Sequence, residues 1–150
     1  MGAIHILIIS PGKSHDRAVA DAIAEYEMRL SKKFPVAWAT PAADTKERES
    51  EAILRLVKES DKVVLLDERG KDIDTPQFSN MLGRHREEGT KRLVFIIGGA
   101  FGVADTVREC ADMTIKLSSL VFPHMLVRLI LIEQLYRASS ILEGGKYHHA

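Results

Sequence analysis

Cysteine is almost absent from this chain: Cys110 stands alone among 150 residues. That excludes an intrachain disulfide framework and a Cys-rich zinc site, and fits a reducing cytosol. Neither sign of charge is in excess, since 21 Lys+Arg balance 21 Asp+Glu. No global field therefore steers the protein onto nucleic acid or a membrane, and RNA would have to be held by a local patch or by one shared between subunits. Long apolar runs are missing too. The longest, MLVRLILIEQL, is broken by Arg128 and Glu133, so nothing is expected to span a bilayer. The early run IHILII is too short for a signal-peptide core and no small-residue cleavage site follows it, so no leader is expected. Neither G-x-G-x-x-G nor G-x-x-x-x-G-K-[ST] occurs, which argues against a Rossmann-type dinucleotide site and excludes a P-loop.

What is present has the balance of a globular protein, with 45% apolar and 28% charged residues. The length suits a single domain. Residues 4–9 form a continuous Ile-rich run, the pattern of a strand buried on both faces. Ser10-Pro11-Gly12 breaks it, and a helix is expected over 15–31, with Val19, Ile23, Tyr26 and Leu30 on one stripe. A short weak strand follows at 36–40. The polar segment 43–60 reads as a helix with only Ile53, Leu54, Leu56 and Val57 to bury and a mobile first half. A second clean strand at 62–66 ends in the loop Asp67-Glu68-Arg69-Gly70. Thr75 and Pro76 open a helix that stops at Gly89, with Thr75 as its N-cap. The third clean strand, 92–97, runs straight into GGAFG at 98–102. A short helix at 104–111, a strand at 113–117, a loop closed by Pro123 and a helix over 124–142 complete the order. Strands alternating with helices predict an α/β domain with a mostly parallel sheet.

In such sheets ligands bind in the loops after the strands. Three of these loops carry unusual residues: the one after Leu66, GGAFG, and Leu117 to Pro123. Paired glycines let a backbone turn sharply and approach a ligand without interference from a Cβ, although a plain β–α turn has the same composition. Arg128 inside an apolar helix needs a partner, either a carboxylate or a phosphate. Its neighbour His124 reads first as a helix N-terminal residue. The helix carrying both is apolar nearly all round, and a second subunit is the natural cover for its outer side. Glu133 and Arg137 are placed as a surface pair. The tail Lys146-Tyr147-His148-His149 suits stacking on and bonding to an unpaired base, although a frayed end has the same look. No metal site is expected, because His5, His15, His85 and His124 show no ligand spacing.

Together these strings resemble a known family. Leu66-Asp67, Gly98-Gly99-x-x-Gly102, Leu117-Ser118-Ser119-Leu120-x-Phe122-Pro123-His124-x-x-x-Arg128, Glu133-Gln134-x-Tyr136-Arg137-Ala138 and a terminal Tyr147-His148 are similar to the RlmH family, bacterial 23S ribosomal RNA pseudouridine N3-methyltransferases of the SPOUT superfamily. The resemblance covers essentially the whole chain, and its F-P-H-x-x-x-R and E-Q-x-Y-R-A strings are the specific part. The chain departs from the family at Lys146, where Pro is usual, and in a short, highly charged stretch at 42–51. The resemblance implies one SPOUT-type α/β domain with a C-terminal trefoil knot, a homodimer, and S-adenosyl-L-methionine bound in the knot. The implied cofactor residues are Leu66, Gly98, Leu117, Ser118, Ser119, Leu120, Val121 and Phe122, acting mostly through backbone groups. The implied reaction is methyl transfer to N3 of a pseudouridine in 23S rRNA on the ribosome, in the cytoplasm, with no DNA or membrane partner. His148 and Tyr147 are the implied groups for positioning or proton removal, and Arg128 and Arg137 for anion contact. Two other readings stand beside it: a SPOUT methyltransferase of another RNA such as tRNA, and a knotted RNA-binding module without catalysis.

Overall fold

Strands that are apolar at every position can be satisfied only between two layers of helix. The structure, a computed structural model, describes residues 2–30 and 32–144 and has that architecture. Its elements run β1 (His5–Ile9), α1 (Arg17–Arg29), β2 (Val36–Ala39), α2 (Lys46–Leu56), β3 (Lys62–Asp72), α3 (Thr75–Glu87), β4 (Arg92–Ile97), α4 (Asp105–Cys110), β5 (Met113–Lys116) and α5 (His124–Leu142). The five strands form one parallel sheet in the order β2-β1-β4-β3-β5. Successive side chains point to opposite faces. Ile6, Ile8, Val64, Phe95 and Ile97 pack with Ile23 of α1, Phe78 of α3 and Leu131 and Leu135 of α5. Leu7, Ile9, Val63, Leu65, Val94 and Ile96 pack with Ile53 of α2 and Val107 of α4.

The structure differs from the sequence expectation in three places. The loop expected at 67–70 lies inside β3, which continues to Asp72. Its register against β5 shifts, so that Leu66 and Lys71 are both opposite Ile115. Gly70 is the reason this works: a Cβ there would lie 2.4 Å from the Ile115 carbonyl carbon and 2.7 Å from its Cα. Polarity marked the segment as a loop, but backbone pairing is indifferent to it.

Helix α3 is capped one residue earlier than expected. Asp74 accepts from Gln77 N at 2.9 Å while its own N–H donates to Gln77 Oε1 at 2.8 Å, a reciprocal capping box. Thr75 is thereby freed to donate its hydroxyl to Gln134 of α5 at 2.8 Å. In α2 the polar first half is regular helix, started by Thr45 Oγ1 accepting from Arg48 N at 3.2 Å. It buries Glu49 and Ser50 alongside Ile53. Those two polar groups serve the site.

Candidate active site

The ends of β3, β4 and β5 lie side by side, so the segments that follow them converge. Between these segments is a cleft of about 610 Å³. Leu66, Gly98, Leu117, Ser118, Leu120, Val121 and Phe122 line it, joined by Ile97, Val127 and His124. Ser119, expected with them, is exposed and is not among the lining residues; its hydroxyl accepts from Lys116 Nζ at 3.3 Å. Ser118 Oγ accepts from Leu120 N at 3.0 Å. That local turn leaves Leu120 and Val121 72% and 88% exposed.

The glycine loop after β4 is held from both sides. Gly102, at φ +77°, donates its N–H to Gly99 O at 3.0 Å and closes a tight turn. A Cβ on Gly98 would meet Val103 Cγ1 at 3.2 Å and the Gly102 carbonyl carbon at 3.3 Å. One on Gly99 would sit 2.3 Å from Glu49 Oε1. The expectation that these glycines spare room for a ligand is thus amended: both line the cleft, but their missing side chains make room for the loop's own return and for α2. Ser50 Oγ accepts from Ala104 N at 2.9 Å, tying α2 to the start of α4. Glu49 Oε2 accepts from Asp44 N at 2.9 Å, while Oε1 is buried without a hydrogen-bond partner. The sequence reading passed over Glu49, because a carboxylate in a charged helix carries no signal of burial.

It also passed over an ion pair in the cleft wall. Arg108 Nη1 donates to Asp67 Oδ2 at 2.6 Å, and Asp67 Oδ1 accepts from Arg69 N at 2.9 Å. Arg108 Nε is buried with no hydrogen-bond partner; Asp105 Oδ1 stands off at 3.8 Å.

Arg128 departs from the sequence reading, which sought a carboxylate or phosphate for it. It is fully buried, and its fork is spent on the segment after β1. Nε donates to Ser10 Oγ at 2.8 Å, Nη1 to Lys13 O at 2.9 Å, and Nη2 to Ser10 O at 3.2 Å and Pro11 O at 3.5 Å. His15 Nδ1 lies 3.3 Å from Nη1. Burial, with the Arg128 charge beside it, pushes His15 below the usual imidazole range, so the neutral ring offers a lone pair to the guanidinium. The geometry gives Arg128 the work of a clamp. Arg137 is ion-paired with Glu133 at 2.8 Å, and the pair is more buried than a surface position implies, at 24% and 18% exposure. Tyr147 and His148 lie outside the described residues, as does Lys146. Among the described residues no group of three or more His, Cys, Asp or Glu could hold a metal ion, and no helix is long and apolar enough to cross a membrane.

A parallel α/β domain with a cleft of this make-up defines a class. Residues 4–148 match the family model described as "Predicted SPOUT methyltransferase", and the chain belongs to that family of methyltransferases. Within it, the chain is similar to proteins named ribosomal RNA large subunit methyltransferase H. That of Geotalea daltonii is 38% identical, over 97% of this chain and 100% of its own length. Those of Geobacter metallireducens and Parabacteroides distasonis are each 38% identical, each over 95% of this chain and 97% of their own.

Proposed function

We propose that this protein uses S-adenosyl-L-methionine to methylate N3 of a pseudouridine in 23S rRNA on the ribosome, acting in the cytoplasm as a homodimer with a knotted C-terminal region. One observation carries the reading: a mixed apolar and charged cleft at the ends of β3, β4 and β5, in a chain whose relatives are named for large-subunit rRNA methylation. The cleft fits such a cofactor. Its volume lies in the range of small-molecule sites, roughly 300–1,000 Å³. Leu66, Ile97, Leu117, Phe122 and Val127 offer apolar walls for an adenine, and backbone groups of Gly98 and the 117–122 loop offer polar edges. Arg108 adds a buried N–H that makes no hydrogen bond.

When bound, the sulfonium supplies a methyl group already activated for transfer. The chain therefore has to align the acceptor and accept its imide proton. We assign proton acceptance to the His148 imidazole and stacking of the acceptor base to Tyr147, both carried over from the resemblance. Arg128 positions the segment after β1 rather than touching the reacting atoms. The knot is carried over from the resemblance alone; the close approach of Gly70 to the Ile115 backbone, where Leu66 and Lys71 share one partner, belongs to the bulged pairing of β3 with β5. The dimer draws support from exposed apolar side chains, Leu120 and Val121 at the cleft and Leu126 on α5.

The test is mass spectrometry of RNA from ribosomes incubated with the protein and S-adenosylmethionine. N3-methylpseudouridine in 23S rRNA is expected. A methyl group in tRNA instead, or none in any RNA, overturns the assignment. Removal of residues 147–150 is expected to cut the rate by about 10²–10⁴-fold, the usual size of acid–base help.

A further inference from the structure

Most charged groups on the cleft have an evident reason to be there: Glu68 and Arg69 are exposed to water, and Lys116 donates to Ser119. Asp67 and Arg108 are different. Their side chains are only 9% and 24% exposed, and they form an ion pair at 2.6 Å. Taking two charges out of water costs free energy that their attraction repays only with good geometry and a full set of partners. Here the set is incomplete, because Arg108 Nε makes no hydrogen bond: Asp105 Oδ1, on an exposed side chain, stands off at 3.8 Å. The pair also bridges two of the converging segments: Asp67 follows Leu66 in β3, and Arg108 Nη2 lies 4.0 Å from where a Cβ on Gly102 would be. A cation and an anion side by side in a ligand cleft are the complement of a zwitterion whose two charges sit on one carbon.

We propose that Asp67 and Arg108 form the subsite for the amino-acid end of the cofactor, with Arg108 donating to its α-carboxylate and Asp67 accepting from its α-ammonium. This rests on the S-adenosylmethionine reading given above. Without ligand the two side chains neutralise each other. With ligand each keeps a partner of opposite charge, and a four-membered alternation of charge replaces a single pair. The apolar walls from Leu66 to Val127 are then left to the adenosine.

Two ligands separate the parts of this claim. S-adenosylhomocysteine carries the amino-acid end, whereas 5′-methylthioadenosine keeps the adenosine and sulfur and lacks it. Titration calorimetry on the full-length protein should show Arg108→Ala weakening S-adenosylhomocysteine by about 10- to 100-fold, the scale of charge-assisted hydrogen bonds. Binding of 5′-methylthioadenosine should change by less than about twofold. Arg108→Lys, which keeps the charge but loses the fork, should recover part of the loss. It decides the matter if the Ala variant does not fold. Arg55→Ala, at an exposed cation of α2 outside the cleft lining, should alter neither ligand. Equal losses for both ligands would make Arg108 a structural support of the glycine loop and overturn the subsite. No loss for either would overturn it as well. If the unaltered protein binds neither ligand, the cofactor reading fails and the subsite fails with it.

Discussion

Arg128 and Arg108 are both drawn into the protein near the ends of the strands, and the chain spends them differently. Arg128 closes the segment after β1. Its fork faces two carbonyls and a hydroxyl at 3.2 Å or less; none of these hydrogen-bond partners is a carboxylate, although the Asp16 charge acts on the guanidinium through space. Arg108 stands where the segments after β3, β4 and β5 leave a cleft, with one hydrogen-bonded carboxylate, Asp67, and an Nε–H that Asp105 approaches only to 3.8 Å, beyond hydrogen-bond reach. Nearby, Glu49 likewise keeps one oxygen without a partner. Buried polar groups in folded proteins are nearly always satisfied, so each exception calls for an explanation. One half of this end of the sheet has completed its hydrogen bonding internally; the other half has left capacity for something to arrive. Substitutions in the first region should therefore be read out as stability, and those in the second as binding.

The largest effect is expected at the frame of the open region. Gly70→Ala places a methyl group 2.4 Å from the Ile115 carbonyl carbon and 2.7 Å from its Cα and N. These are backbone atoms of β5, which cannot swing aside as a side chain would. A loss above about 4 kcal/mol is expected, in the exceptional tail for single substitutions. Soluble yield and urea unfolding read it. A variant of normal stability would mean that β3 lifts freely off β5 and that the bulge there does not frame the cleft.

Next comes the closed region. Arg128→Met fills the volume but leaves Ser10 Oγ and the carbonyls of Ser10 and Lys13 without their donor. A loss of about 3–5 kcal/mol in urea unfolding is expected, because each orphaned group costs about 1–3 kcal/mol and the costs overlap. The folded fraction should bind S-adenosylhomocysteine within about twofold of the unaltered protein. A stable Arg128→Met protein that binds ligand but no longer methylates would return Arg128 to the reaction and erase the contrast with Arg108.

Much of this architecture was legible beforehand. The Ile- and Val-rich strands at 4–9, 62–66 and 92–97 have no alternation, and a run apolar at every position has few homes other than a covered parallel sheet. The glycine loop and the run from Leu117 to Phe122 were marked by composition and by position after strands, and all of those residues but Ser119 reached the cleft. Other features depend on distance in space rather than on local pattern. Nothing near Arg108 in sequence points to Asp67, 41 residues away. Glu49 reads as one more charge on a polar helix until Gly99 is laid over it. Arg128 announced that it was special, but its partners, 113 to 118 residues distant, could not be named. The cap of α3 moved by one residue because Asp74 and Thr75 are both good caps, and Gln77 decided between them.

A smaller effect sharpens the comparison from within the open region. Gly99→Ala forces Glu49 Oε1 away from a point 2.3 Å from the new methyl group, and Oε2 then loses Asp44 N. The atom that must move is the end of a side chain, so about 1–2 kcal/mol is expected, the cost of one buried hydrogen bond and some repacking. In a Glu49→Ala background the space is already vacant, and the same substitution should cost less than about 0.5 kcal/mol. The double-mutant cycle measures the difference as coupling. Additive losses would show that Glu49 does not support the glycine loop.

The smallest effect lies at the other end of the strands, in a second closed cluster. Asp61, just before β3, accepts from Arg92 Nε at 2.9 Å and Nη2 at 2.6 Å and from Lys58 N at 2.7 Å, while Arg92 Nη2 also reaches Leu56 O at 2.8 Å. Burial alone would raise the Asp61 pKa; the Arg92 hydrogen bonds outweigh it, aided by Lys58, and hold the carboxyl below its ordinary 3.8. A carboxyl depressed in the folded state contributes stability that is complete above its unfolded pKa and is lost as pH falls through the folded value. Asp61→Asn has no such contribution to lose. The stability gap between the two proteins should therefore be constant from about pH 5 to pH 8 and narrow below about pH 4, by on the order of 1 kcal/mol. Urea midpoints across that range measure it, and the other carboxylates, common to both proteins, cancel in the difference. Parallel curves down to the acid transition would show that Arg92 gains nothing from the charge on Asp61, and the cluster would then count as packing rather than as a closed electrostatic contact.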